Sequence, residues 1–337
     1  HGDGATFPQP LLAAWGLQYH NEHPTVQGDY PAPSGGSGKG ITDITAKKVF
    51  FGGTDAPMKT TEKAAAPGIL QFPETMGAVA VVYNIGGVAN GLKLDGETLG
   101  KIYSGDIKFW DDDAIKGLGN SGLPHTEITI VYRSDSSGTT FVFTDYLSKA
   151  STTFHGTQIT NGTAAKQPYW KASSAKQLSG NGNDGVAKQV QSSTCNGCVG
   201  YVELTYLKTA SLNAAQMKNK DGVFLAPTSD GASAAAASFV SSLPTPDGDW
   251  SKVSIVNAAG ATAYPISSMT YIMVYQSASA YSSADLQGQD PAQVQQAFKA
   301  WMWWNLHDGQ QYSLALGYAP LPSEVVAIGE HALAMMN

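Results

Sequence analysis

The chain has 337 residues, 42% of them hydrophobic and 14% charged, with 37 glycines and a formal net charge of −7. That length leaves room for two domains that each bury a core, and the composition is that of an ordered, turn-rich protein rather than a disordered one. The negative balance and the absence of any Lys/Arg block argue against nucleic acid and anionic membrane surfaces as partners. The chain also has no apolar run of about eighteen residues, the length a membrane-crossing helix needs.

Thr6 precedes residues 8–20, where Leu11, Trp15 and Tyr19 recur on one helical face and Pro8 lies near the first turn. The turn Ser34-Gly35-Gly36-Ser37-Gly38 leads into residues 41–49. Residues 48–52 and 78–85 are apolar runs that read as strands, the first ending in a turn that carries Asp55. The apolar run 128–132 reads as a strand and 141–150 as a helix, with Arg133-Ser134-Asp135-Ser136-Ser137-Gly138-Thr139-Thr140 between them. Residues 180–185 form a loop feeding a helix at 186–191, and 199–203 and 270–275 read as strands. Residues 291–307 are a helix rich in aromatics, among them Phe298, Trp301 and Trp304. Strands alternating with helices predict an α/β architecture with a mainly parallel sheet in each domain.

In such sheets, ligands sit beyond the carboxyl ends of strands, where loops enter helices. Three hydroxyl-bearing turns match that position, at Thr6, at Ser34 to Gly38, and at Ser137-Gly138-Thr139. A helix opening at such a turn presents free N–H groups and the positive end of its dipole, and Arg133 would add a forked donor suited to a tetrahedral oxyanion. The same residues also suit a plain helix cap at Ser136 or Ser137 beside a surface ion pair of Arg133 and Asp135. A nucleotide loop is a poor reading of Ser37-Gly38-Lys39-Gly40, because Pro33 and Gly40 stand where that motif needs Gly and Ser or Thr.

Catalysis and metal binding have weak support. A phosphatase needs a nucleophile with an activating base, or a metal cluster. His20 and His23, with Glu22 between them, are the best metal-like pair, but the spacing equally describes a solvated helix face. His125, His155, His307 and His331 are scattered, and a lone N-terminal His1 is a poor copper site. No cofactor and no metal are expected. The two cysteines, Cys195 and Cys198, suit a local disulfide in an exported protein, or two buried thiols; the strand after them argues against a redox motif, and a zinc site lacks its second pair.

Taken together, the motifs resemble the phosphate-binding protein of bacterial high-affinity phosphate ABC transporters. The resemblance covers nearly the full length. It includes Gly4-Ala5-Thr6-Phe7-Pro8, Ser37-Gly38-Lys39-Gly40, Thr54-Asp55-Ala56-Pro57, Leu94-Asp95-Gly96-Glu97-Thr98-Leu99, Arg133 to Thr140 with Phe141-Val142-Phe143-Thr144, Gly182-Asn183-Asp184-Gly185, Gly200-Tyr201-Val202-Glu203 and Tyr318-Ala319-Pro320-Leu321-Pro322. It implies a two-lobed, clamshell-like periplasmic binding fold, with the ligand in the interlobe cleft. One lobe would comprise residues 1–83 plus 266–337 and the other 84–265.

The resemblance implies phosphate ligands at Thr6, Phe7, Ser37, Gly38, Asp55, Arg133, Ser137, Gly138 and Thr139, with Asp135 holding the arginine fork. Ser34 competes with Ser37 for one position, and the distance to Asp55 in sequence favours Ser37. Asp55 would accept the proton that phosphate keeps at neutral pH, whereas sulfate has none to offer; a polar site of this kind can discriminate by about four powers of ten. Asp3 adds a negative charge near the expected site. The implied partners are inorganic phosphate and the membrane subunits of a permease. The chain is expected to be a non-enzymatic monomer, exported with its leader removed. A phosphate-binding surface or signalling protein without a permease is the alternative, and a phosphatase a more remote one.

Overall fold

The computed structural model describes residues 1–31, 35–155, 164–170 and 176–337. In chain order the strands are β1 (Gly2–Gly4), β2 (Phe51–Thr54), β3 (Ile69–Asn84), β4 (Lys93–Leu94), β5 (Thr129–Arg133), β6 (Gln177–Gly180), β7 (Cys198–Glu203), β8 (Asn213–Ala214), β9 (Gln216–Lys218), β10 (Phe224–Leu225) and β11 (Ser267–Tyr275). Helices Gln9–Glu22, Ser37–Thr45, Gly138–Ala150, Gly182–Gln191 and Pro291–Leu306 are interspersed with them, so the chain is α/β.

It divides into two compact units. The first holds His1–Met76, Phe239–Ser254 and Met269–Asn337, and the second holds Gly77–Ser238 and Ile255–Ser268. Two of the four changes of unit fall inside the strands β3 and β11, at residues 76/77 and 268/269, where 83 and 265 were expected. Residues 239–254 join the first unit, an excursion that composition did not signal.

In the first unit β1 runs parallel to β2, and β2 runs antiparallel to β11. Its core is aromatic. Phe51 stacks on Tyr30 and meets Phe298 and Trp301 of the Pro291–Leu306 helix, with ring centroids 5.3 to 6.0 Å apart. Fully burying such a side chain stabilises the fold by roughly 1.5 to 3 kcal/mol. Trp15, buried on the first helix, donates its indole N–H to Gly309 O at 2.7 Å, which satisfies its polar atom.

In the second unit β5 lies between β6 and β7 and is parallel to both, while β7 runs antiparallel to β3. Ala80, Val82, Val131, Val186, Val190 and Val202 form its aliphatic core, together with Cys195 and Cys198. These two cysteines are joined by a disulfide. The pairing in each unit is mixed rather than mainly parallel, because β3 and β11 run against their neighbours.

Element ends differ from the expected ones for local reasons. The helix expected over 41–49 begins at Ser37 and ends at Thr45, and the strand expected from 48 begins at Phe51. Between them Lys47 adopts a φ of 60° and the Lys48 N–H bonds Asp43 O, so these residues close off the helix. β3 begins at Ile69, not 78, and only its last residue, Asn84, is less than buried. The helix expected at 186–191 begins at Gly182. His20 Nδ1 lies 2.9 Å from Val26 O, and the His23 ring packs on Tyr19 with centroids 4.3 Å apart, so both histidines have local structural partners. The acidic run 111–113 is likewise engaged locally, with Asp111 at His125, Asp112 capping Ala114 and Asp113 paired with Lys116.

Candidate functional site

The first unit gathers its candidate residues by close backbone packing. β1 sits beside β2 with Gly4 opposite Gly53, and the Ser37–Thr45 helix lies over both. A Cβ on Gly40 would stand 2.5 Å from Gly53 O and 2.9 Å from the Gly4 Cα, so the helix reaches this depth only because Gly40 has no side chain. Gly4 itself has a φ of 140°, which an L side chain rarely adopts. This contact brings three chain ends together: Thr6 and Phe7 after β1, Ser37 at the start of its helix, and Asp55 after β2.

All four side chains are buried. Ser37 Oγ accepts the Asp55 backbone N–H at 3.0 Å. A hydroxyl that accepts one bond still has its own proton to donate, so Asp55 fixes Ser37 as a donor. Gly36, with a φ of 82°, precedes the helix without a side-chain cap, and its carbonyl takes the N–H groups of Lys39 and Gly40. The N–H groups of Ser37 and Gly38 stand ahead of these, in the first turn, where a helix attracts anions. Asp55 Oδ1 accepts the Thr270 hydroxyl at 3.0 Å. Phe7 is held through its carbonyl, which accepts the Tyr318 hydroxyl at 2.6 Å. Ser34 lies outside the described residues. Asp3 and Asp43 are both paired with Lys39, so the charge of Asp3 is compensated and Lys39 is spent on carboxylates.

The second unit builds its set at the carboxyl end of β5. Arg133 is 4% exposed and donates Nε to Asp135 Oδ1 at 2.7 Å and Nη2 to Asp135 Oδ2. Asp135 also accepts the Gly182 N–H at 3.1 Å. Burial works to raise the Asp135 pKa, but the Arg133 and Gly182 donors outweigh it and hold the carboxyl below its ordinary value. With one edge of the guanidinium locked on Asp135, Nη1 lies 3.2 Å from Thr139 Oγ1. Asn183 Nδ2 reaches the same oxygen at 3.3 Å. Thr139 therefore accepts from two protein donors and keeps its proton to give.

Ser137 is the N-cap of the Gly138–Ala150 helix and accepts the Thr140 N–H at 3.0 Å. The cap and the donor role are compatible, since capping uses a lone pair and leaves the hydroxyl proton. Gly138 occupies the first helical position behind it. Tyr201 supports the turn from below, its hydroxyl 2.7 Å from Thr140 Oγ1 and 3.3 Å from the Arg133 N–H. Burial pushes this phenol up to about 12, so it serves as a neutral hydrogen-bonding group.

Two donor sets result, Thr6, Phe7, Ser37 and Gly38 with Asp55 on one unit, and Arg133, Ser137, Gly138 and Thr139 with Asp135 on the other. Sequence reasoning assigned no role to Thr270, Asn183, Gly182 or Tyr201. Gly182, Asn183 and Tyr201 lie in runs that carried the family resemblance, whereas Thr270 had no signal beyond its place in an apolar strand. Among the described residues, no cluster of His, Cys, Asp or Glu could hold a metal ion.

A model of the PBP superfamily domain matches residues 1–304. The phosphate-binding protein PstS of Methanocaldococcus jannaschii is 35% identical over 99% of this chain and 85% of its own length. The phosphate-binding protein PstS of Pasteurella multocida is 35% identical over 96% of this chain and 87% of its own. The chain belongs to the PstS family of phosphate-binding proteins. A solved structure of a high affinity periplasmic phosphate-binding protein, bound with phosphate, aligns with a TM-score of 0.70 at 21% identity, covering 97% of this chain and 91% of that one. That likeness bears on the fold, which is the two-lobed one of periplasmic binding proteins.

Proposed function

We propose that the chain binds inorganic phosphate outside the cytoplasm and delivers it to the membrane subunits of an ABC transporter, acting as a binding protein and not as an enzyme. The observation that carries this reading is Arg133, a buried guanidinium whose Nε–Nη2 edge is fixed on Asp135 while Nη1 donates to the Thr139 hydroxyl oxygen at a helix start. Such a group, desolvated and pre-oriented, suits a tetrahedral oxyanion and loses little freedom on binding it. Its family relatives are named phosphate-binding proteins. The nine ligands are Thr6, Phe7, Ser37, Gly38, Asp55, Arg133, Ser137, Gly138 and Thr139, with Asp135 orienting the arginine.

Asp55 sets the choice of anion. The other eight of the nine ligands offer N–H or O–H, and among the nine Asp55 alone offers a carboxylate. Phosphate at neutral pH keeps a proton that it donates to Asp55. Sulfate has none, so its oxygens would oppose an ionised carboxylate with nothing between them. The disulfide of Cys195 and Cys198 fits an oxidising compartment, in keeping with export, and the protein acts as a monomer that docks on its permease.

Equilibrium dialysis with radiolabelled phosphate tests the reading. Saturable binding is expected, weakened at least about a hundredfold in Arg133→Met, since a charged partner of a buried anion is removed. Absence of saturable binding by the unsubstituted chain would refute it.

A further inference from the structure

A second carboxyl stands behind Asp55. Glu74, in β3, is completely buried, and its Oε1 lies 3.4 Å from the Thr270 hydroxyl, the same hydroxyl that bonds Asp55 Oδ1 at 3.0 Å. Thr270 Oγ1 carries one proton and cannot give it to both carboxyls. The shorter bond assigns it to Asp55. Thr270 Oγ1 then faces Glu74 with a lone pair, and that contact is favourable only if Glu74 carries a proton.

The rest of the surroundings agrees. Glu74 Oε2 has no hydrogen-bond partner among the described residues, a costly arrangement for an ionised oxygen and a tolerable one for a neutral acid. The charge acting on Glu74 is that of Asp55. Its other neighbours are neutral: Thr270, Gln310, whose amide lies 3.4 Å from the Glu74 carbonyl, and Tyr271 beside Asp55, whose phenol is pushed up by burial and by Asp55. Two carboxyls coupled in a buried site do not both ionise readily. Burial, and then Asp55, push Glu74 up to about 8.

We infer that Glu74 is a positioning residue for anion recognition: as a neutral acid it donates to Thr270, Thr270 donates to Asp55, and Asp55 is thereby held as the ionised acceptor of the ligand's proton. The role in recognition rests on the phosphate reading of Asp55, while the relay rests on the geometry of the three residues. Loss of the Glu74 proton sets two carboxylates in competition for one hydroxyl and adds a negative charge behind the ligand. That charge repels the bound anion, and Thr270 is no longer committed to Asp55 alone. Phosphate affinity therefore falls as pH rises through the titration of Glu74.

The experiment measures phosphate dissociation constants by calorimetry for the unsubstituted protein, Glu74→Gln and Thr270→Val, from about pH 6 to about pH 10, beside the infrared C=O stretch of protonated carboxyls. Glutamine keeps a donor for Thr270 and never ionises. Equal affinities are expected near the acid end, and above about pH 8 the unsubstituted protein should weaken relative to Glu74→Gln by about tenfold per pH unit. Thr270→Val should weaken binding throughout the range. The protonated-carboxyl band should be present at neutral pH and absent in Glu74→Gln. Affinities of the two proteins that coincide at every pH, or a band that the substitution leaves intact, would overturn the inference. A protein that shows the band yet binds no phosphate at any pH would overturn the phosphate reading, and with it the recognition role, and the band tells that failure apart from the first.

Discussion

Three of the hydroxyls chosen as ligands are already acceptors for a protein donor, Ser37 for the Asp55 N–H, Ser137 for the Thr140 N–H, and Thr139 for Arg133 and Asn183. That arrangement decides which way the proton points, and the acceptor Asp55 stands out against it. Asp55→Asn should weaken phosphate while improving sulfate, narrowing their ratio by at least about a hundredfold in paired titrations, because an amide can donate to the oxygen that a carboxylate repels. An unchanged ratio would remove Asp55 from specificity. Ser137→Ala should lose its cap, about 1 kcal/mol of stability in denaturant unfolding, as well as a ligand. These residues were legible because each sits in a short run of hydroxyls, glycine and charge. Glu74 and Thr270 were not, since their meaning comes from pairing with Asp55 across long sequence separations.

The elements owe their placement to contacts that sequence spacing states only in part. Gly40 was visible as one of many glycines, but the 2.9 Å that would separate a methyl at this position from the Gly4 Cα is a property of three packed elements. Gly40→Ala should therefore destabilise the fold by about 1 to 3 kcal/mol, read as a lower melting temperature, and should weaken phosphate because Ser37 rides on the same helix. A wild-type melting temperature would contradict the close packing. β3 shows the reverse case. Gln71, Pro73, Glu74 and Thr75 interrupt its apolar pattern, so the run reads as a strand only from residue 78, yet all four are buried within it. Gln71 Oε1 accepts the Met58 N–H there, a partner that no local rule supplies.

At the scale of the molecule, two carboxyls shifted in opposite directions give stability a pH window. Glu74 is raised to about 8, so its contribution is fully present below the ordinary glutamate value and is lost as pH rises through about 8. Glu97 is the opposite case. Burial acts to raise it, but hydrogen bonds from Thr153, Ser151 and Thr152 prevail and hold it down to about 2, so its contribution is present above the ordinary value and is lost as pH falls toward about 2. Urea midpoints should decline on both sides of the mildly acidic range, with the alkaline decline reduced in Glu74→Gln and the acid decline reduced in Glu97→Gln. Identical profiles for all three proteins would contradict this assignment. The α/β class and the family were legible from ordered motifs along the chain, whereas the return of residues 239–254 to the first unit was not, because few sequence features mark a segment by the unit it packs against.

Two sets of donors attract an oxyanion in this reading, and one carboxylate, Asp55, admits only an anion that carries a proton. Calorimetric titration of the purified, phosphate-stripped protein with phosphate and with sulfate at neutral pH tests it most directly. Saturable phosphate binding is expected, with sulfate binding weaker by about four powers of ten. Comparable affinity for the two anions, or no heat with phosphate, would contradict it.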